Sequence, residues 1–383
     1  MMKFTTPPPT LSKSLRKPWA NCIAVGHAAE LLREDVLTHL ETAQKAVGWR
    51  YLRFHAVFSD QMNCVTRAED GTLRFQWNHL DKVYDRILGM GLKPFVELNP
   101  MPTVLASTEQ TIFAFKINVS PPADFAEWGQ LVEAFTRHCV DRYGRTEVRS
   151  WYFEVWNEPN LPGFWGGSQA DYWKLYETSA QAVKAVDSQL RIGGPASAAA
   201  AWVGEMIEHC HSRRIPLDFV STHRYPQDEY SAQPDSRLHT HARGHFFGDE
   251  VKRIHDLVRA SVLPDLEIHW TEWNSQSASV DFPVTWSANR FVDSSFAGSF
   301  IVKHCLELDE FSDSFAWWVV SDVFEEPGFQ QAPFSCTYGL ITVDGIPKSS
   351  FHAFRFLARL RGTTLCMEDS DELPGGSGIY ACN

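Results

Sequence analysis

The chain has 383 residues, 44% hydrophobic and 21% charged, which is ordinary globular usage, long enough for one large core or two modest ones, and excludes a disordered tail protein. A formal net charge of −12 argues against a nucleic-acid or anionic-membrane partner. Aromatics reach 13%, with 14 Trp, an excess that suits sugar-stacking platforms or a cofactor pocket.

Residues 1–18 are rich in Pro, Ser and Lys and read as an N-terminal arm, with no apolar leader; no stretch of about 18 apolar residues follows, so a cytoplasmic location is expected. The predicted elements then alternate. Strand one covers Asn21 to Val25 and is followed by a helix over Glu34–Val47; strand two covers Arg50 to Phe58 and carries Arg53 and His55. A helix over Asn78–Met90 closes at Gly91, and Lys93–Leu98 is strand three. A helix from Asp124 to Arg142 ends near Gly144, and strand four is 151–156. Strands five to eight are expected at Leu190–Gly193, Asp218–Thr222, Leu266–Thr271 and Ser314–Val320, with helical patterns such as Asp171–Val186, Val251–Leu263 and Ser287–Leu308 between them. Eight βα units in one chain match a (β/α)8 barrel; an open doubly wound sheet competes, but no Gly-rich dinucleotide loop follows the first strand. The eight cysteines are scattered without a CxxC pair and read as buried thiols rather than a zinc site.

In a barrel, active sites lie at the C-terminal ends of the strands. Arg53 and His55, Asn157 and Glu158, His223 and Tyr225, Glu272, and Asp322 and Glu325 all fall there. Glu158 stands in Trp156-Asn157-Glu158-Pro159, where Pro159 halts the strand and should push Glu158 towards extended geometry. Alone, this reads equally well as a helix-entry turn. A second stretch, Trp270-Thr271-Glu272-Trp273, lies 114 residues later and tips the balance, because glycoside hydrolysis needs two carboxyl groups flanking the anomeric carbon. Arg53 is placed to keep Glu272 ionised, and Trp156 to raise the pKa of Glu158 by desolvation. Glu154 shares strand parity with Glu158 and reads as a buried acid paired with a base. His55 and His223 also fit as satisfied core histidines, and Glu325-Glu326 as a solvated loop pair.

The run Trp151-Tyr152-Phe153-Glu154-Val155-Trp156-Asn157-Glu158-Pro159-Asn160-Leu161 resembles the acid/base motif of glycoside hydrolase family 39. The likeness extends through Gly48 to His55, Lys93 to Glu97, Val119 to Pro122, Asp218 to His223, Ser321 to Glu326 and Pro347 to Phe354, so it spans roughly residues 19 to 360. It is nearer the bacterial β-xylosidases than the iduronidases. The resemblance implies Glu158 as general acid/base and Glu272 as nucleophile, with Asn157 on the sugar 2-hydroxyl. It implies that His55, His223, Tyr225, Glu325 and Glu326 line the sugar site, with Phe115 and Trp317 or Trp318 as apolar walls. Trp317 and Trp318 face opposite ways on a strand, so only one should reach the pocket. His239, His241 and His245 are close enough together for a metal, but their Ser/Gln/Pro-rich setting reads better as a loop over the mouth.

Family members usually continue into a β-sandwich to which an N-terminal segment contributes; here 355–383 reads as a short remnant of it, after a catalytic barrel over 19–354. The expected function is a retaining exo-glycosidase releasing xylose from β-linked xylo-oligosaccharides. No cofactor or metal is expected, and a small oligosaccharide is the expected partner. The alternatives are a relative acting on arabinosides, glucosides or uronides, with Arg224 as the candidate carboxylate reader, or a carbohydrate-binding homologue without turnover.

Overall fold

A computed structural model describes residues 12–225, 246–275, 290–326, 328–365 and 381–382. Eight parallel strands close into a barrel: β1 (Cys22–His27), β2 (Tyr51–His55), β3 (Lys93–Leu98), β4 (Tyr152–Val155), β5 (Arg191–Ser197), β6 (Phe219–Arg224), β7 (Glu267–Trp273) and β8 (Ser314–Trp317), with β8 pairing back onto β1. The open-sheet alternative is thereby excluded. Each strand is followed by a helix: α1 (Glu34–Val47), α2 (Asn78–Gly89), α3 (Phe125–Tyr143), α4 (Gln169–Val186), α5 (Val203–Arg213), α6 (Phe246–Arg259), α7 (Ser295–Glu307) and α8 (Ser349–Leu357).

Local chemistry sets these boundaries. The Asp124 carboxylate caps the first turn of α3 by accepting from Ala126 N–H at 2.7 Å, and Gly144, at φ 87°, turns the chain away at the other end. Ser168 and Asp171 form a reciprocal capping box on α4, which satisfies two N–H groups that the helix cannot. Outward-facing strand residues such as Ile23, Leu52, Val96 and Phe153 pack with helix residues such as Leu40, Val83 and Val183 in one continuous core. Each such fully buried aliphatic contributes about 1.5–3 kcal/mol.

Inside the barrel the side chains form layers. Tyr51, Phe95, Tyr152 and Phe219 make an aromatic floor with His269. Two residues further along the same strands come Arg53, Glu97, Glu154 and Thr271, an ionic layer of fully buried side chains. Period-2 alternation puts the two layers one above the other. The mouth lies above the ionic layer.

At the far end, the amides of Arg16 and Lys17 donate to the Asp309 carboxylate, both at 2.8 Å. Ser12–Ser14 pairs antiparallel with Thr363–Leu365, which pairs in turn with Ala381–Cys382. The first described strand thus joins two of the last described ones in one small sheet. No helix among the described residues is long and apolar enough to cross a membrane.

Candidate active site

Two backbone irregularities bring the glutamates together. After β4, Trp156 and Glu158 both adopt left-handed geometry, at φ 70° and 47°. The extended conformation expected before Pro159 is therefore not the one taken. Such strain costs on the order of 1–3 kcal/mol, and it is held by Glu158 N–H donating to Ala196 O at 2.8 Å and by Leu161 N–H donating to Glu158 O at 3.0 Å. On β7 the register slips against β6 between Thr222 and His223, so that Trp270 faces Thr222 while Glu272 faces His223. Strict alternation would put Thr271 and Glu272 on opposite faces; the bulge turns both inward. As a result, carboxylate oxygens of Glu158 and Glu272 and a ring nitrogen of His223 lie within 4.8 Å of one another.

Arg53 ties the layer below to this pair. Its Nε donates to Glu154 at 2.6 Å, Nη1 to Glu272 at 2.9 Å and Nη2 to Asn157 Oδ1 at 2.8 Å, and Nη2 also lies 2.5 Å from Glu97. Burial works against the guanidinium charge, but Glu154, Glu97 and Glu272 hold its pKa above the usual range. The base expected beside Glu154 is therefore Arg53. Since a guanidinium only donates, Asn157 must turn its oxygen to it, and its amide N–H groups are left to face a sugar hydroxyl. Burial pushes the Glu272 carboxyl up, while Arg53, His55 and the Tyr225 hydroxyl, which donates to it at 2.8 Å, pull it back. The expected Arg53 contact is present, but burial outweighs it.

His55 is fixed by Glu97 at 2.8 Å through Nδ1, and its Nε2 lies 3.5 Å from Glu272 and 3.7 Å from Glu326. Burial pushes its pKa down to about 3, so the ring is neutral. Glu326 is pushed the other way, well above the carboxylate range, by burial and by the charges of Glu272, Glu30, Glu158 and Glu97. Glu325 pairs with His27 at 3.1 Å and Arg33 at 3.3 Å, so it belongs to the wall and not to a solvated loop. Asp322, also expected at the mouth, is drawn instead to the buried Lys348 at 2.6 Å.

Trp318 tilts against His55 at 4.4 Å between ring centroids, whereas Trp317 packs against Trp273 and Phe354 in the outer core. Trp317 is therefore not a wall of the site, as strand parity demands. Trp156 also belongs outside: it packs on Trp128 and Trp165 and donates to Phe164 O at 2.9 Å. Phe115 stacks on His27 at 4.0 Å, and Phe113, which the sequence reading missed, stacks on His55 at 6.4 Å. Both ride on the hairpin Thr111–Ile112/Ile117–Asn118, pinned to the loop after β8 by Ala114 N–H donating to Glu326 O. Glu97, His27 and Thr271 were missed as well. Only Glu97 had a signal, its inward parity on β3. His239, His241 and His245 lie outside the described residues.

A closed (β/α)8 barrel with two opposed glutamates at its C-terminal mouth, walled by aromatic rings and neutral polar groups, is the framework of a glycoside hydrolase. The model of glycosyl hydrolases family 39 matches residues 2–375. A β-xylosidase of Caldicellulosiruptor saccharolyticus is 39% identical over 94% of this chain and 72% of its own length. One from Geobacillus stearothermophilus is 35% identical over 97% and 73%. The solved structure of a family 39 β-xylosidase from Caulobacter crescentus superposes with a TM-score of 0.82, at 36% identity over 94% of this chain and 75% of that one. The chain belongs to glycoside hydrolase family 39.

Proposed function

We propose that the protein releases xylose from the non-reducing end of β-linked xylo-oligosaccharides with retention of configuration. The carrying observation is that a carboxylate oxygen of Glu158 and one of Glu272 lie within 4.8 Å of each other, an approach nearer the roughly 5–5.5 Å of retaining enzymes than the about 6.5–9.5 Å of an inverting pair. In the first step Glu272 attacks the anomeric carbon while Glu158 gives its proton to the departing glycosidic oxygen. The C–O bond to the leaving sugar breaks as the ester to Glu272 forms. In the second step Glu158, now a carboxylate, takes a proton from water, whose oxygen displaces Glu272. Asn157 N–H groups on the 2-hydroxyl strengthen as positive charge develops on the ring.

The wall argues for a neutral sugar. Glu325, Glu326 and Glu30 stand beside the mouth, and Arg53 is committed to three carboxylates. Arg224, the candidate reader of a uronate, follows the inward His223 and so faces out of the barrel by strand parity. A substrate carboxylate would meet the ionised Glu325, whose pKa His27 and Arg33 hold down, while Glu326 and Glu30, both raised by burial, offer it no positive charge.

The test is nitrophenol release from nitrophenyl β-D-xyloside and, in parallel, β-glucuronide and α-L-arabinoside. Turnover of the xyloside by wild type and its loss by several orders of magnitude in Glu272→Ala supports the reading. Preference for the uronide would replace it, and binding without turnover in both proteins would leave a carbohydrate-binding homologue.

A further inference from the structure

His223 bridges the ionic layer and Glu158. Its Nδ1 lies 3.0 Å from Glu158 Oε1, and its Nε2 lies 3.1 Å from Thr271 Oγ1. Which nitrogen carries the proton follows from the neighbours. The Thr271 hydroxyl has one hydrogen, and it is donated to Glu154 Oε1 at 2.8 Å. Towards His223 the same oxygen therefore offers a lone pair, and the contact at 3.1 Å requires Nε2–H.

One arrangement competes: Arg53 Nη2 approaches Nε2 at 3.5 Å and would need it as an acceptor. The two Nη2 hydrogens, however, have nearer claimants in Asn157 Oδ1 at 2.8 Å and Glu97 Oε2 at 2.5 Å, and hydrogen bonds weaken sharply towards 3.5 Å. Burial pushes the proton affinity of His223 well down, so the ring is neutral and has one N–H to place. With that N–H on Nε2, Nδ1 presents a lone pair to Glu158. The 3.0 Å contact is then satisfied by a protonated Glu158.

The geometry points to Thr271 as a positioning residue that fixes the tautomer of His223 and, through it, keeps on Glu158 the proton that the first step consumes. The inference rests on the reading of Glu158 as acid/base. The other groups facing this pair are Arg53 and His55 from β2, Glu97 from β3, Glu154 and Asn157 from β4 and its loop, Tyr225 after β6, Glu272 from β7 and Glu326 after β8. None of them except Thr271 needs a proton from Nε2.

The experiment is the pH profile of kcat/KM for wild type, Thr271→Val and Thr271→Ser. Valine keeps the shape and removes the acceptor, so the ring is free to place its proton on Nδ1 and donate to a carboxylate at Glu158. The basic limb should then move down by about one pH unit, with about a tenfold loss on the alkaline side, and serine should restore it. The loss should be greater on xylobiose, whose leaving alcohol needs protonation, than on dinitrophenyl β-xyloside, whose leaving group does not. Superimposable profiles for valine and wild type would overturn the role of Thr271. Undiminished xylobiose hydrolysis by Glu158→Ala would instead overturn the acid/base reading itself. If the valine variant does not fold, ring-nitrogen NMR of isotope-labelled histidine in wild type decides: a protonated Nε2 on His223 supports the inference, and a protonated Nδ1 ends it.

Discussion

Arg53 donates to Glu272 at 2.9 Å from a position where its own side chain is wholly buried. The same guanidinium also serves Glu97 and Glu154, neither of which has any exposure. Removing the one cation from such a cluster costs about 3–5 kcal/mol, because uncompensated carboxylates are left in the interior. Arg53→Ala should therefore lower stability by that order and abolish turnover. Arg53→Lys keeps the charge but not the fork, so it should lose more activity than stability. Urea midpoints and kcat for the two variants check this; an alanine variant as stable as wild type would mean the layer is not held by charge pairing.

Glu272→Ala is gentler on the fold. It leaves Arg53 with two carboxylate partners, so the variant should stay folded with a urea midpoint near that of wild type while turnover is lost. That separation makes it a fair test of the nucleophile. Unfolding in parallel with lost activity would show that the side chain is needed for structure first.

Glu158→Ala should respond differently to different substrates. A dinitrophenyl xyloside leaves without a proton, so its glycosylation step survives; the second step lacks its base and becomes limiting. Added azide, a small nucleophile needing no deprotonation, should restore turnover and yield the β-xylosyl azide. A variant that azide leaves unaffected, or an α-product, contradicts the assigned roles.

The barrel was legible because eight apolar runs alternate with amphipathic helices, and strand three and α1 fall where the sequence places them. Polar residues at strand ends pointed to the mouth. Two aspects were illegible for a shared reason: they depend on breaks in alternation. The bulge at Thr271 puts two adjacent residues on one face, so strict alternation gave the threonine no place beside Glu272 in the mouth. The left-handed turn at Glu158 runs against the local preference before proline and is imposed by the Ala196 carbonyl on the next strand. Phe113 was missed because it sits in a loop, where no period says which way a ring points, and His27 because β1 runs two residues past the expected end at Val25.

Where alternation holds, it separates the paired tryptophans. Trp318 touches His55 and Trp317 touches Phe354. Trp318→Ala should raise KM or lower kcat with a modest stability change. Trp317→Ala should leave kinetic constants near wild type and cost about 3–5 kcal/mol through the cavity it opens. The opposite pattern would mean that the strand is turned by one residue from the arrangement described.

Buried titratable groups give stability a dependence on pH from both sides. His55 is pushed from 6.5 to about 3, so between those values the unfolded chain binds the extra proton. This contribution is full above pH 6.5 and is lost as pH falls towards 3. Glu30 is raised by burial, against the pull of His27, from 4.5 to about 7. Here the folded state holds the proton, so the contribution is full below pH 4.5 and is lost as pH rises through 7, by about 3 kcal/mol at most. Urea unfolding of wild type and Glu30→Gln at intervals from pH 5 to 8 should show the variant gaining on wild type as pH rises. His55→Asn should flatten the acid side, where wild type weakens below pH 6.5. A stability difference between Glu30→Gln and wild type that does not change with pH would show that Glu30 is ionised in the fold throughout, its charge carried by His27 and the Glu325 amide.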